Sequence, residues 1–496
     1  MSKFTQAVII STGQVEINRP PPGLGFLAGI CDSSDLPYEA FDLNAFVLEQ
    51  VGNDKWIELY HYTSLNDIED AGLLNQIDHI LDLFVTGIKT INPDLVLITV
   101  LTHWQKFWCE KLLKKIKVFD INATVVAGGP GISVYHTATS TFGKYLCNHD
   151  LLDYYVLGEG EVVLTNFLKG QYDLGVNSKT DLVETWAMQI DNLDTNPLPS
   201  YKKIDVNYYK SSLGTGTISI TGSRGCVRRC TFCDVGNIWK KFRFRSASNI
   251  VKEIEKHYLE TGHTDFAFTD SLINGSLKNF IGFMEELIEL QQTHPDLKNI
   301  TYLGQFIIRP RAQHPEYMFQ LMKQSGFSNV IVGIETGSDT VRFHMKKKFT
   351  NEDIDYHLEM CEKYKLGNTF LFMVGYPTET LQDFDDTLNM VRKYQKYLLS
   401  GTLIDVGEAL PVTLLKNTPL HSLAGELGID TNDEYHNIYW LSKENPDLTL
   451  KERWRRYITF QRELILLGYP RSGDLEVMLA QHLTKIKNFK DLNYVN

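Results

Sequence analysis

The chain has few cysteines, no long apolar run and no excess of positive charge. Its seven cysteines in 496 residues are an odd number, scattered except for one cluster, and a disulfide framework would need more of them in a smaller chain. A reducing cytoplasm is the expected setting. No apolar stretch reaches the length needed to span a bilayer. The N-terminal MSKFTQAVIISTG has neither a cationic lead nor a small-residue cleavage pattern, so no signal peptide is expected. A formal net charge of -12 leaves the molecule as a whole repelling polyanions, which weighs against a nucleic-acid partner. What is present is an ordinary globular composition, 43% hydrophobic and 22% charged, at a length that suggests two or three domains.

The first third alternates strand-like and helix-like segments. Ala7–Ser11, Asp94–Val100, Thr124–Ala127 and Tyr154–Leu157 are short apolar runs, and Trp104–Val118 has helical character. Two of the runs end in glycine turns, Gly128-Gly129-Pro130-Gly131 and Gly158-Glu159-Gly160-Glu161. Alternation with glycines at strand exits predicts a doubly wound parallel sheet over residues 1–180, with ligands at the carboxyl ends of its strands. Residues 181–212 loosen into Asp, Asn, Pro and Ser and read as a linker.

Regularity returns over residues 213–410. Strands are expected at Thr217–Thr221, Phe266–Thr269, Tyr302–Ile308, Val330–Ile334, Thr369–Val374 and Leu403–Val406, the first five each followed by a helix. Five βα units and a sixth strand predict a partial (β/α)6 TIM-like barrel whose chemistry sits at the strand C-termini. Residues 411–496 read as a mostly helical region that shapes the substrate cavity. Its Arg-rich Lys451–Arg456 segment is expected to be a solvated helix face with Trp454 packed inward, the other reading being a contact with an anionic substrate.

The one cysteine cluster stands at the end of the first barrel strand, in Ser223-Arg224-Gly225-Cys226-Val227-Arg228-Arg229-Cys230-Thr231-Phe232-Cys233. Thiolates at this spacing converge on one inorganic cluster if the loop wraps around it, and three of them leave the fourth iron open to a ligand. A zinc knuckle would want a fourth protein ligand, and no His or Cys sits nearby in sequence. A redox pair Cys230–Cys233 would leave Cys226 unexplained.

The C-x3-C-x2-C spacing with an aromatic before the last cysteine resembles the signature of the radical S-adenosylmethionine (SAM) superfamily. The resemblance implies that Cys226, Cys230 and Cys233 hold a [4Fe–4S] cluster, that SAM chelates the open iron, and that Phe232 lies against adenine. Other strand ends are similar to the family's SAM contacts. Asp270 and Ser271 would meet the methionine amino group, Glu335 and Thr336 the ribose, and Gly375 the adenine. Arg309 is the candidate for the SAM carboxylate, which a guanidinium matches bidentately. Bland readings stand beside these: Asp270 or Ser271 as a helix N-cap, Glu335 paired with a lysine of Lys346–Lys348, Arg309 in a surface ion pair, Gly375 as a strand-to-helix turn.

The N-terminal Pro21–Ala28, Gly128–Ser133 and Leu157–Glu161 resemble the cobalamin-binding domain that precedes many radical SAM modules, making Gly128, Gly129, Gly158 and Glu159 candidate cofactor contacts. The cobalt-ligating D-x-H-x-x-G of such domains is absent, and the turn after Asp94–Val100 reads Leu101-Thr102-His103-Trp104 instead. Methylthiotransferases use three N-terminal cysteines for a second cluster, but Cys31, Cys109 and Cys147 lack those surroundings and, with Cys361, are expected in the core. The resemblance implies a radical SAM enzyme that methylates an unactivated carbon with cobalamin. The alternatives are a cobalamin-independent rearrangement, cyclisation or dehydrogenation, and, from another class, a non-catalytic iron–sulfur or zinc protein. A small molecule or peptide is the expected substrate, and a flavodoxin or ferredoxin the expected electron donor. The sequence names no catalytic side chain beyond the cofactor contacts.

Overall fold

The structure is a computed structural model that describes residues 2–13, 17–61, 72–137, 140–212, 216–407, 409–431 and 436–470. The end of the expected C-terminal region, beyond residue 470, lies outside the described residues. The chain forms two compact units, Met1–Ile220 with Lys252–Asp265, and Thr221–Val251 with Phe266–Asn496.

The first unit is built on a sheet in the order Tyr38–Asp42, Ala7–Ser11, Leu95–Thr99, Thr124–Gly128, Tyr154–Val156, Val176–Ser178. The first five strands run parallel and the last is antiparallel. Alternate residues of each strand feed separate cores. Val8, Ile10, Val96 and Ile98 pack with the helices Leu74–Ile91 and Lys106–Val118. Ala7, Ile9, Leu95 and Leu97 pack with Pro22–Ser33 and Gly160–Leu168. Both faces are therefore covered, which explains why these strands read as continuous apolar runs. The winding reverses between Ala7–Ser11 and Leu95–Thr99, the place where an open α/β sheet offers a crevice at its strand ends.

The glycines of the Pro21–Ala28 motif lie on the helix Pro22–Ser33, and two of this helix's glycines smooth its surface for the segment 198–201. A Cβ on Gly25 would stand 2.7 Å from the Tyr201 ring, and one on Gly29 would stand 2.2 Å from the Leu198 carbonyl oxygen. The sequence reading missed this helix and the strands Tyr38–Asp42 and Val176–Ser178.

The expected six barrel strands are all present, as Ile218–Ile220, Asp265–Phe268, Thr301–Phe306, Phe327–Glu335, Gly367–Val374 and Leu403–Val406. In the second unit the last four run parallel, with Leu410–Pro411 added beside the end of Gly367–Val374. Residues of Gly367–Val374 alternate between fully and partly buried. Phe370 meets Tyr394 of the helix Leu381–Leu399, and Phe372 meets Phe460 of the helix Leu450–Leu466. The opposite face, with Thr369, Leu371 and Met373, is the partly exposed one. Helices cover one face, and the other is only partly buried. Thr350 and Thr380 start the helices Asn351–Tyr364 and Leu381–Leu399 with complete capping boxes to Asp353 and Asp383.

Candidate active site

The cysteine loop leaves the barrel through a tight turn. Ser223–Arg224 pairs antiparallel with Arg243–Phe244. Gly225 then adopts φ +86°, where a Cβ would lie 2.6 Å from the Lys241 carbonyl oxygen, so only glycine fits immediately before Cys226. Cys226, Cys230 and Cys233 are free thiols of intermediate exposure, whereas Cys31, Cys109, Cys147 and Cys361 are buried. The backbone N–H of Arg228 donates to Cys226 Sγ at 3.3 Å.

Thr231, inside the C-x-x-C stretch, is fully buried and anchored on three sides. Its N–H donates to the Met345 carbonyl at 3.1 Å, its carbonyl accepts from Leu420 N–H at 2.7 Å, and its hydroxyl lies 2.9 Å from that of Tyr376. The loop is thus pinned to the segments that follow the fourth and fifth strands.

Glu335 ends the fourth strand at φ 71°, a left-handed conformation unusual for a residue with a side chain. The strand register with Gly367–Val374 shifts at this point. The turn folds the carboxylate back over its own strand, where Oε1 accepts from Lys347 Nζ at 2.8 Å. A Cβ on Gly333 would meet that carboxylate oxygen at 2.3 Å, which explains the glycine two residues earlier. Lys347 Nζ also stands 5.8 Å from the centre of the Phe232 ring. Burial works against the Lys347 charge, but Glu335 and the thiols of Cys230 and Cys233 outweigh it and hold its pKa above the usual value.

Asp270 is buried, and both carboxylate oxygens are engaged by the start of the cysteine loop. Gly222 N–H donates at 2.8 Å and Ser223 Oγ at 2.5 Å. Burial pushes the Asp270 carboxyl up to about 7, against the pull of these hydrogen bonds and of Arg245. A small cavity of about 20 Å³ opens beside it, lined by Phe242, Phe244, Phe268, Phe280 and Phe283 among others. Ser271 follows, half-buried. The Thr336 hydroxyl lies 3.1 Å from that of Thr387 and accepts from Ser338 N–H at 3.2 Å, an internal role that fixes the strand exit. Arg309 spends one amino group on the carbonyls of Asn274 and Gly275, both at 3.0 Å.

Residues 220–391 match the model of the radical SAM superfamily. The barrel is a radical SAM domain. Over 319 residues the chain is 25% identical to an uncharacterised methyltransferase of Pyrococcus horikoshii, covering 62% of this chain and 65% of that protein. It is 24% identical over 332 residues to the anaerobic magnesium-protoporphyrin IX monomethyl ester cyclase of Cereibacter sphaeroides, covering 64% and 52%. The chain therefore spans between about half and two thirds of the length of these relatives. Among solved structures, the radical SAM methyltransferase TsrM from Kitasatospora setae, with cobalamin and a [4Fe–4S] cluster bound, is similar in fold. Its TM-score is 0.62 at 18% identity, covering 88% of this chain and 82% of that one. OxsB, a cobalamin-dependent SAM radical enzyme with aqua-cobalamin and SAM bound, gives a TM-score of 0.61 at 15% identity, covering 86% and 61%.

The radical SAM domain's side chains fit an anionic group among the three thiols. The Nε atoms of Arg228 and Arg309 are buried with no hydrogen-bond partner, and Arg228 and Lys347 both draw the Cys226 thiol down against the larger effect of burial. Orphaned cationic donors beside thiols suit a thiolate-held cluster and the carboxylate of SAM. Among the described residues no three His, Cys, Asp or Glu side chains close on a point as ligands of a single metal ion do. A cluster that gives each thiolate its own iron asks for a wider spread.

One expectation is corrected. Lys451–Arg456 is not a solvated face of its helix, because Arg453 and Arg456 are buried together with Trp454. Arg456 bonds Glu379 Oε1 at 2.6 Å, and Glu379 Oε2 accepts from Gly375 N–H at 2.9 Å. Arg453 lies 3.9 Å over Trp440 and donates to the carbonyls of Val412, Ile438 and Trp440. A charge-run rule overlooks that two guanidiniums can be buried when carbonyls and a carboxylate satisfy them. The helix therefore fixes the turn after the fifth strand. Gly375, at φ +74°, has Arg453 where its Cβ would go, at 2.4 Å. Its conformational freedom serves this packing.

In the first unit, Gly129 (φ +100°) would place a Cβ 2.5 Å from the Val100 carbonyl oxygen, and Gly158 (φ +88°) one 3.1 Å from that of Ala187. Gly128 meets nothing nearer than Val156 at 3.7 Å. The Glu159 carboxylate accepts from Ile190 N–H at 3.3 Å. Of these four residues, Gly128 is the one whose open side is not explained by the protein itself. The loop that stands where a histidine turn was sought is tied by Gln105, which accepts from Leu101 and Thr102 N–H and donates to the Thr12 carbonyl. His103 lies in the short helix His103–Gln105, and its side chain is outside the described set. Cys31 packs in the core on one face of the sheet and Cys109 and Cys147 in the core on the other, so the three cannot share a cluster. No helix among the described residues is long and apolar enough to cross a membrane.

Proposed function

We propose that the chain is a cobalamin-dependent radical SAM methyltransferase acting on an unactivated carbon of a small molecule or peptide in the cytoplasm. The observation that carries the reading is the three-thiol loop with its buried cationic donors, preceded in the chain by a parallel sheet of order 2-1-3-4-5. That order leaves a crevice where such sheets bind cofactors. Cys226, Cys230 and Cys233 would hold the cluster, Arg309 with Arg228 the SAM carboxylate, and Phe232 and the segment after Gly375 the adenosine. When bound, the cluster supplies the electron that cleaves SAM, and cobalamin carries the methyl group.

The protein's own work is positioning and exclusion of water. Asp270 sets the angle at which the cysteine loop leaves the barrel, and Thr231 fixes its second half. Leu371 and Met373, both partly exposed, would give an apolar wall to a carbon substrate. An electron donor of flavodoxin or ferredoxin type is required.

A cobalamin-free radical SAM reaction is the second reading. It is favoured by Gly129 and Gly158, whose open sides are filled by protein backbone and not by a crevice. Anaerobic reconstitution with iron, sulfide and hydroxocobalamin, followed by desalting and a visible spectrum, separates the two. Cobalamin retained at one per chain supports the methyltransferase. A cluster spectrum without corrin absorbance transfers the case to the second reading.

A further inference from the structure

The Glu335–Lys347 pair needs a reason to exist where it does. Both side chains are 11% exposed, and the pair stands next to an aromatic ring inside the cysteine motif. Placing Glu335 there requires a left-handed backbone at a residue with a Cβ, a strained conformation. It also requires a glycine at 333 to clear the carboxylate, and a Cβ there would lie 3.0 Å from Lys347 Nζ. A nearly buried ion pair is by itself weak evidence for stability, since desolvation offsets its attraction. Strain spent on such a pair points to function.

Given the cluster reading above, on which this step rests, we infer that Lys347 is a positioning residue whose fixed positive charge sets the reduction potential of the cluster, with Glu335 as the counter-charge that limits the effect. The reduced cluster is one unit more negative than the oxidised one, so a nearby cation stabilises it and a nearby anion opposes it. Lys347 stands at the cysteine motif in space: its Nζ lies 5.8 Å from the centre of the Phe232 ring, and the N–H of Thr231 donates at 3.1 Å to the carbonyl of Met345, two residues before it. Glu335 Oε1, 2.8 Å from Lys347 Nζ, brings the opposite charge to the same place. Arg228 and Arg229 add positive charge near Cys226 but belong to the loop itself, with Arg229 exposed. Lys347 is held from outside the loop by one defined partner, which fits it to a fixed setting.

The two members of the pair therefore have opposite signatures. The test is anaerobic reconstitution of wild type, Lys347→Met, Glu335→Gln and the double variant, followed by a redox titration of the cluster read by electron paramagnetic resonance. In Lys347→Met the ratio of reduced to oxidised cluster at the wild-type midpoint is expected to fall about tenfold, equivalent to a midpoint about 59 mV more negative. In Glu335→Gln the midpoint moves the other way, and the double variant returns toward wild type. Shifts of the same sign in both single variants, no shift in either, or loss of the cluster in both would make the pair a scaffold only and overturn the inference. Failure of the wild type to hold any cluster would overturn the underlying reading instead.

Discussion

The hydroxyl of Thr231, between Cys230 and Cys233, lies 2.9 Å from the hydroxyl of Tyr376, the residue after the glycine turn of the fifth strand. The same turn is gripped from the other side, since Glu379 accepts from Gly375 N–H and is itself paired with Arg456. A continuous series of contacts thus joins the helix Leu450–Leu466 to the cysteine loop. Tyr376→Phe leaves the buried Thr231 hydroxyl without its partner and is expected to cost about 1–3 kcal/mol, whereas Thr231→Val leaves Tyr376 its longer bond to the His344 carbonyl at 3.4 Å and should cost less. The double variant should cost little more than one single change. A double-mutant cycle on thermal unfolding of the apoprotein checks this, and full additivity would deny the coupling.

Breaking the buried pair at the far end should be more severe. Arg456→Met leaves Glu379 charged, buried and without its partner, a change worth about 3–5 kcal/mol. Burial already pushes the Glu379 carboxyl up, against Arg456 and two backbone hydrogen bonds. The variant Arg456→Met/Glu379→Gln removes the charge and should recover part of the loss. Denaturant midpoints of the three proteins decide it.

Asp270 gives a pH dependence of opposite sense to an ordinary ion-paired carboxylate. Its folded pKa of about 7 lies above the ordinary aspartate value of 3.8, so between these values the native state binds more protons than the unfolded one. This group's contribution to stability is full below pH 3.8 and is lost as pH rises toward 7 and beyond. Asp270→Asn keeps an acceptor for Gly222 N–H and abolishes that loss. Asp270→Ala strands two donors and should lower iron incorporation. Equal stability–pH curves for wild type and Asp270→Asn would contradict the assignment.

His314 and His357 titrate in the other direction. Burial lowers His314 to about 3 and His357 to about 4 from the usual 6.5, with Arg309 and Arg228 adding to the first. Their depressed values mean that the unfolded chain takes up protons first as pH falls below 6.5. Stability present above that pH is then lost down to about pH 4, at up to about 1.4 kcal/mol per pH unit for each group. The two rings stand 6.4 Å apart with Phe306 against both. His314→Phe should flatten the acid side of the melting-temperature profile. An unchanged acid limb would sink the claim.

The fold was readable because its signals are periodic. Ala7–Ser11, predicted as five residues, is observed as those five, and Leu403–Val406 likewise. The cysteine motif was legible because three thiols in one short segment have few other uses. What the sequence hid is reach across the chain. The pairing of Glu335 with one of Lys346–Lys348 was legible, and Lys347 is the partner; what the sequence could not show is that the pair lies against the cysteine motif. Thr231 passed as a filler between cysteines, and its partner is 145 residues away. Arg453 and Arg456 looked like surface charge because a helical pattern does not reveal carbonyls supplied by distant loops. The glycines at 129, 158 and 375 were read as room for a ligand, and at each a protein atom fills the space.

The central claim is that Cys226, Cys230 and Cys233 hold a cluster whose open iron takes SAM. The most direct measurement is iron and sulfide content with electron paramagnetic resonance on the anaerobically reconstituted, reduced protein, before and after SAM. Wild type should carry about four irons per chain and change its spectrum when SAM is added. Cys226→Ala, Cys230→Ala and Cys233→Ala should each lose both properties. A Cys230→Ala protein that keeps its full iron and still responds to SAM would contradict the account.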